Sequence, residues 1–152
     1  MEFSNFVVVC YENENTKMPL EPMTQIQKKI LVTAAILGAI TVIIGAFGAH
    51  GLKKLVDDTA VSSFETGVRY QMYHVFALLF LGMVTGISEA TQKWVFRLFL
   101  LGVLLFSGSI YLLALQDVVS FTVSFLGPIT PIGGSLLIIG WFRLAWGLYS
   151  LK

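Results

Sequence analysis

Charged residues are scarce in this sequence. Lys, Arg, Asp and Glu make up 12% of its 152 residues, about half of the roughly 25% that is usual in soluble domains. The net charge is +1, and the longest basic run is a pair such as Lys28-Lys29, which leaves no clustered positive surface for nucleic acid. The composition therefore excludes an ordinary soluble enzyme and a disordered chain, and it predicts no nucleic-acid partner.

Metal-binding and redox residues are equally scarce. Cys10 is the only cysteine, so an internal disulfide, an iron–sulfur cluster and a CxxC motif are excluded. The two histidines, His50 and His74, lack the HxxxH or HxxE spacing typical of a metal site on a helix. No serine has a neighbouring base, and no glycine-rich phosphate loop is present. The sequence thus predicts no catalytic residue, no metal and no cofactor.

Hydrophobic residues are abundant where charged residues are scarce. They form 56% of the chain, and the mean hydropathy is +0.80. Four stretches of 18 to 23 residues contain a single charge, Arg143, and match the roughly 17–25 residues that cross a bilayer. They are Ile30–Ala49, Tyr70–Ile87, Leu98–Leu115 and Ile129–Leu151. We predict an all-α, membrane-spanning four-helix bundle over residues 30–152, preceded by a disordered leader over residues 1–29.

The connections between these stretches carry helix-start signals. Ser62 and Glu65 fit a capping box, in which two side chains satisfy free first-turn amides. This pattern predicts that the second helix runs from about Ser63 to Ile87, with its first two turns in the membrane interface. Val118–Leu126 is apolar but too short to cross, and we expect it to lie at the interface or to fold back against the bundle.

The distribution of basic residues predicts the orientation. Four crossings place both termini on one side, where six Lys and Arg residues lie against three on the other side. The six are Lys17, Lys28, Lys29, Lys93, Arg97 and Lys152, and the three are Lys53, Lys54 and Arg69. By the positive-inside rule, both termini face the cytoplasm across the cell membrane.

Small residues recur along three of the helices. Lipid tails offer no hydrophobic drive between helices, so helices associate where small residues let the backbones approach. The glycines expected to pack are Gly38, Gly45 and Gly48 in the first helix, Gly82 and Gly86 in the second, and Gly133, Gly140 and Gly147 in the fourth. Two uses stay open, since such faces hold a bundle together and also form the seam of a homodimer or of a complex with another membrane protein.

Polar residues concentrate where the first helix ends and the second begins. The cluster comprises His50, Glu65, Arg69, Tyr70, Gln71, Tyr73 and His74, and we expect it to form one layer near the outer membrane boundary. In one interpretation it is an interfacial lattice with Glu65–Arg69 pairing at i, i+4 and with tyrosine anchors. In a second, the histidines form a proton or ion entry site. In a third, they bind a metal, although zinc normally needs more ligands.

Arg143 is the one charge inside an apolar stretch. It lies about 12 Å of helix from the inner boundary, where a guanidinium costs a few kcal/mol, roughly 2.5–3.5 on insertion scales. We expect it to snorkel toward lipid phosphate or to pair with Glu89. Trp141, Trp146 and Tyr149 around it are predicted to be interface anchors.

Four segments resemble a known family. They are the GAFGAHGL string at 45–52, the FETGVRYQMYH string at 64–74, the FSGSIY string at 106–111 and the TPIGG string at 130–134 with Gly140-Trp141. They are similar to those of the YgdD-like or YwdK-like small bacterial membrane proteins, and the resemblance covers the chain from Ile30 onward. It implies a multi-pass plasma-membrane protein with no established activity, and so no catalytic residue.

Three functional hypotheses follow from these patterns. The first is a non-enzymatic bundle that binds membrane lipids or a membrane protein partner. The second is a small proton- or ion-linked transporter, or an accessory subunit of one, using His50 and His74. The third and least supported is a metal-dependent membrane enzyme.

Overall fold

Four long helices make up the fold of the described residues. The computed structural model describes residues 22–119 and 123–151, and over these ranges it contains helices but no strand. The helices are α1 Gln25–His50, α2 Asp58–Met83, α3 Glu89–Ala114 and α4 Ile129–Tyr149, with short 3-10 turns at Leu52–Lys54 and Ser124–Leu126. The first three have 26 residues each, about 39 Å of helix. The predicted all-α architecture is confirmed.

Helix α1 begins earlier than its apolar stretch. The Thr24 hydroxyl accepts a hydrogen bond from the Gln27 amide, and the Gln27 side chain accepts one from the Thr24 amide, which is a capping box. The helix therefore starts at Gln25, five residues before the predicted Ile30. Residues 25–29 are helical rather than part of a leader, and residues 1–21 lie outside the described residues.

Helix α2 also begins earlier than predicted. The Asp57 carboxylate accepts a hydrogen bond from the Ala60 amide at 2.7 Å, so α2 starts at Asp58. The expected capping box at Ser62 and Glu65 is wrong, because Ser62 lies inside the helix and its carbonyl accepts the Thr66 hydroxyl at 3.0 Å. An aspartate N-cap outside the apolar stretch determines this helix start.

The far end of α2 falls short of the predicted Ile87. The helix stops at Met83, and Val84 adopts an extended conformation. Gly86 follows with a φ of 82°, a left-handed conformation that glycine adopts without steric cost. The prediction that Gly86 packs on the second helix is therefore wrong: it shapes the turn between α2 and α3.

Within the described part of the chain, three helices are long and apolar enough to cross a membrane, namely α1 with its continuation to Lys54, α3 and α4. Helix α2 has the length, but its first turns carry charged side chains. It nevertheless lies antiparallel along α1, with Phe64 beside Gly48 at one end and Gly82 beside Leu31 at the other. Helix α2 thus extends through the same depth as α1.

The helices pack in chain order. Helix α1 packs on α2, α2 on α3 and α3 on α4, with a smaller contact between α1 and α3, whereas α1 and α4 do not pack directly on each other in the described ranges. The larger buried cluster includes Ile30, Leu81 and Phe99. Outward faces are strongly apolar: Ile43 is 69% and Phe142 is 73% exposed. Lipid is the surrounding that suits such a surface.

The segment between α3 and α4 turns back toward the bundle. Val123 and Leu126 are buried, whereas Val118 and Phe125 are 45% and 65% exposed, so the second predicted placement of Val118–Leu126 is supported at Val123 and Leu126 only. Residues 120–122 lie outside the described part of the chain. Helix α3 itself begins at Glu89, where the Ser88 hydroxyl accepts the Thr91 amide, so its first two turns precede the apolar stretch.

Candidate functional site

A chain of buried polar side chains links three helices. Thr41 of α1 donates its hydroxyl hydrogen to the Leu37 carbonyl at 2.6 Å and accepts a hydrogen bond from Gln71 Nε2 at 2.8 Å. The Gln71 Oε1 atom in turn accepts the Tyr111 hydroxyl of α3 at 3.0 Å. Hydrogen bonds of this kind hold helices together where no water competes.

Two serines extend the polar contacts along α3. Ser107 Oγ donates to the Gly67 carbonyl of α2 at 2.8 Å, while Ser109 Oγ lies 2.7 Å from Thr130 Oγ1 of α4. The first contact is possible because α2 lies very close to α3 here: a Cβ at Gly67 would be 2.7 Å from the Tyr111 ring. These serines act as links between helices.

His74 is buried, with both ring nitrogens engaged. Nδ1 lies 2.7 Å from the Tyr70 carbonyl oxygen, and Nε2 accepts a hydrogen bond from Trp141 Nε1 of α4 at 3.2 Å. Because a carbonyl only accepts, Nδ1 carries the hydrogen and the ring is the neutral Nδ1–H tautomer. The ring also packs edge-on against Phe99, with 5.1 Å between centroids.

The predicted polar layer is not one layer. His50 is exposed at the C-terminal end of α1. His74 is buried on α2 at the depth of Gly38 of α1, because its neighbour Val75 packs beside Gly38. Gly38 is twelve residues before His50, about 18 Å along the helix axis. The expectation that His50 and His74 share one membrane boundary is wrong, because the register of α1 on α2 places His74 deep in the bundle.

The remaining members of the cluster lie on the outside, except for Gln71. Glu65 and Arg69 are exposed, and Arg69 Nη2 donates to Thr66 Oγ1 at 3.1 Å. The predicted Glu65–Arg69 ion pair is absent among the described residues, since the Thr66 hydroxyl on the same helix takes the guanidinium instead. Tyr70 and Tyr73 are exposed, with their rings 5.9 Å apart.

Arg143 contacts α3 by a different route from the one predicted. Its Nη2 donates to Thr91 Oγ1 at 2.7 Å. The expected pairing with Glu89 is wrong, because that carboxylate forms an ion pair with Lys93 Nζ at 3.0 Å, one turn along α3. The hydroxyl of Thr91 also lies 2.9 Å from Ser88 Oγ.

The aromatic residues of α4 divide into two kinds. Trp146 and Tyr149 lie in its last turns and are 67% and 85% exposed, as expected of side chains at the membrane interface. Trp141 lies near the middle of α4 and donates to His74. Trp141 is itself 47% exposed, and its indole N–H joins α4 to α2, while its role as an interface anchor stays a prediction.

Two glutamines hold the turn between α2 and α3. Gln27 Nε2 of α1 and Gln92 Nε2 of α3 both donate to the Val84 carbonyl, at 3.3 and 3.4 Å. Because α2 ends at Met83, the Val84 carbonyl accepts no hydrogen bond from the backbone of that helix. The side chains replace the backbone partner that the carbonyl lost.

The expected packing glycines lie at helix contacts, apart from Gly86. A Cβ atom on each would come within 3.3 Å of a neighbouring helix at Gly38, Gly45, Gly48, Gly82, Gly133, Gly140 and Gly147. Gly67 and Gly102, which the sequence pattern did not single out, lie equally close to their neighbours, Tyr111 and Leu137. Glycines thus let neighbouring side chains, and at Gly133 the neighbouring backbone, come close to the helix axis.

The polar interior is satisfied within itself. In the described residues, no buried side-chain nitrogen or oxygen lacks a hydrogen-bond partner, and no group of three His, Cys, Asp or Glu side chains is placed to hold a metal. Sequence reasoning missed the partners Thr41, Tyr111 and Trp141. A polar atom inside an apolar helical stretch was the available signal, since such atoms need partners in lipid.

A family model described as a protein of unknown function, DUF423, matches residues 44–134, more than half of the chain. The chain belongs to this family. The UPF0382 membrane protein of Staphylococcus haemolyticus is 42% identical to it over 117 residues, which are 77% of this chain and 92% of that protein. The UPF0382 membrane protein of Haemophilus influenzae is 38% identical over 128 residues, 83% of this chain and 98% of that protein. No solved structure matches the chain.

The DUF423 match covers the centre of the polar interior. It includes Gln71, His74, Ser107 and Tyr111, whereas Trp141 and Arg143 lie beyond its end. Together with the apolar helices, the membrane-protein relatives show that the chain is a multi-pass membrane protein of a family of unknown function.

Proposed function

We propose that this DUF423 protein is a non-enzymatic bundle of the cell membrane that works through its outer surface, by binding lipids and membrane protein partners. The observation that carries the proposal is the complete pairing of buried polar side chains in the described residues. Groups that catalyse or transport need a free donor, acceptor or ligand position. Here these atoms join helices to one another.

The state of His74 argues against the transporter alternative. A proton carrier must take up and release a proton at an accessible nitrogen, but Nδ1 is held by the Tyr70 carbonyl and Nε2 by the Trp141 indole. His50 is about 18 Å away along the helix axis. The two histidines therefore offer no continuous path.

The surface offers a large apolar area for lipids or for another membrane protein. Val42 and Ile43 on α1 and Phe142 on α4 are each more than 60% exposed. Since α1 and α4 do not pack on each other in the described ranges, each leaves one face open. A second copy of the chain is the protein partner that these faces would accommodate in the simplest way, as a homodimer.

The charge distribution supports cytoplasmic termini. The end of the bundle where α1 begins carries five cationic side chains in the described ranges, Lys28, Lys29, Lys93, Arg97 and Arg143, and one carboxylate, Glu89. The opposite end carries Lys53, Lys54 and Arg69 with the carboxylates Asp57, Asp58, Glu65 and Asp117. Reporter fusions at the C-terminus and in the 52–57 connection test this orientation. We also infer that the family is the YgdD-like or YwdK-like group that the motifs resemble.

Proton flux into proteoliposomes tests the non-transporter proposal. Wild-type protein is expected to pass no more protons, sodium or potassium than empty liposomes. Metal analysis of the purified protein is expected to find well below one equivalent of zinc. Ion flux that His74→Phe abolishes and His50→Ala preserves would contradict the proposal.

The same two variants report on the structural role of His74. His74→Phe keeps the ring packing but leaves the Trp141 N–H without its acceptor, so we expect the free energy of unfolding to fall by about 1 kcal/mol. His50→Ala is the matched control at an exposed position, and no measurable change is expected. Unfolding in mixed detergent micelles measures both.

A further inference from the structure

A cavity lies at the terminus end of the bundle, between α3 and α4. Its volume is about 290 Å³, and its lining includes Ser88, Thr91, Arg143, Trp146 and Ser150. This volume lies near the lower end of ordinary ligand pockets, roughly 300–1,000 Å³. Three hydroxyls and one guanidinium make the lining polar and positively charged, and no carboxylate is among the described residues that line it.

The guanidinium of Arg143 has donor capacity left. Arginine carries five N–H donors, and in the described residues one hydrogen bond is made, from Nη2 to Thr91 Oγ1. The nearest acidic residue of α3, Glu89, forms an ion pair with Lys93 instead. A half-buried cation near the end of a membrane helix is thus left facing a cavity.

The backbone around the cavity holds this arrangement in place. A Cβ at Gly147 would lie 2.8 Å from Thr91 Cγ2, so the glycine there lets α4 pack closely against α3 beside Thr91. Gly86, with its positive φ, turns the chain into α3, whose first residue follows Ser88. The positive end of the α3 dipole therefore points toward the same side.

The surroundings match the depth of lipid headgroups. Trp146 lines the cavity and is 67% exposed, and amphipathic aromatic rings favour the headgroup region. Lys28, Lys29, Lys93 and Arg97 belong to the same end of the bundle, so the local field is positive. Basic pockets between membrane helices on the cytoplasmic side are known to take anionic headgroups.

We propose that this cavity binds a negatively charged phosphate ester, with the Arg143 guanidinium donating to the phosphate oxygens beside Thr91. A guanidinium fork matches two phosphate oxygens in one plane. The ligand is an anionic phospholipid headgroup or a soluble phosphate ester, which share this chemistry. If the ligand is a lipid headgroup, this proposal rests on the proposed lipid-binding function and assigns that function to this cavity.

Lipid retention in native mass spectrometry tests the site. The full chain in detergent is titrated with phosphatidylglycerol and with phosphatidylcholine of the same acyl chains. We expect phosphatidylglycerol to bind more tightly and Arg143→Gln to weaken it by about tenfold or more, the scale of one charge-assisted contact. Arg97→Gln is the matched control, because Arg97 is an exposed cation of the same end, over the Trp94 ring at 5.9 Å.

Further titrations distinguish the two sources. Inorganic phosphate and glycerol phosphate are titrated without lipid: binding that matches the lipid and is lost in Arg143→Gln assigns the site to soluble phosphate esters. Binding of the acyl-bearing lipid alone assigns it to the membrane. Arg143→Lys keeps the positive charge but loses the paired N–H donors of the guanidinium, so we expect phosphatidylglycerol affinity to fall a few fold. This variant replaces Arg143→Gln in the test if Arg143→Gln fails to fold.

Three results would overturn the site. They are equal binding of the anionic and the zwitterionic lipid, no change in Arg143→Gln, and an equal loss in Arg97→Gln. None of these results bears on ion flux, so failure of the site is separate from failure of the non-enzymatic proposal.

Discussion

The α3–α4 interface and the α1–α2 interface use similar small residues in different ways. At Gly133 of α4, an added Cβ would overlap the backbone nitrogen of Phe106. At Gly38 and Gly45 of α1, it would lie 3.3 Å from methyl groups of Val75 and Val68. Backbone meets backbone at Gly133, whereas side chains fill the space at Gly38 and Gly45.

Hydrogen bonding shows the same difference. The α1–α2 interface has the bond between Thr41 and Gln71 at its centre. The α3–α4 interface has its polar contacts toward its two ends, Ser109 with Thr130 and Arg143 with Thr91. The approach to neighbouring backbone at Gly133 therefore belongs to the α3–α4 pair, and a buried polar contact lies at the centre of the α1–α2 pair. A pattern of glycines in the sequence does not by itself tell these modes apart.

The largest effect is expected from Gly133→Ala. The new methyl group meets the α3 backbone, which cannot move aside as a side chain can, so the two helices must separate along their length. We expect a loss at or above the upper end of the roughly 1–3 kcal/mol that overpacking costs. Unfolding in mixed micelles measures it. A loss below that of Gly45→Ala would break the comparison.

An intermediate effect is expected from Gln71→Leu. The substitution leaves the Tyr111 hydroxyl without its acceptor and removes the Gln71 donor to Thr41, at a cost of about 1–2 kcal/mol. Ser135→Ala is the control, since the hydroxyl of Ser135 is exposed and, among the described residues, bonds to its own helix, at the Pro131 carbonyl. If Gln71→Leu is as stable as wild type, the polar contact does not support α1–α2.

The smallest loss is expected from Gly45→Ala. The Val68 methyl must give way by a few tenths of an ångström, and the gain in helix propensity, about 0.5–1 kcal/mol, opposes this cost. The net change should stay within about 0.5 kcal/mol. Gly108→Ala is the reference, because no atom of the described residues lies within 4 Å of its added Cβ, and it should stabilise the protein slightly.

The apolar stretches were predictable, and their ends were not. The stretches locate four helices because each must satisfy its own backbone within lipid. The helix starts depend instead on capping side chains such as Thr24 and Asp57, which lie outside the stretches. A competing capping pattern at Ser62 and Glu65 had the correct spacing, yet a cap five residues earlier leaves it inside α2.

The polar cluster could be predicted in composition only. Seven residues near one connection are a clear feature of the sequence, but helical rotation sends Gln71 and His74 inward and Tyr70 and Tyr73 outward. Their partners Thr41, Tyr111 and Trp141 come from three other helices. No local pattern connects residues separated by 30 to 67 positions.

The amino-acid sequence alone determined that this chain forms helices in a membrane. The free-energy cost of placing charges and unpaired peptide groups in lipid applies to each segment separately, so it can be read from each segment's own residues. Tertiary structure decided which polar atoms meet, that His74 is a bonded neutral ring and that Arg143 faces a cavity. These outcomes depend on the axial register and the rotation of each helix relative to its neighbour. The contacts between glycines and the neighbouring helices fix both.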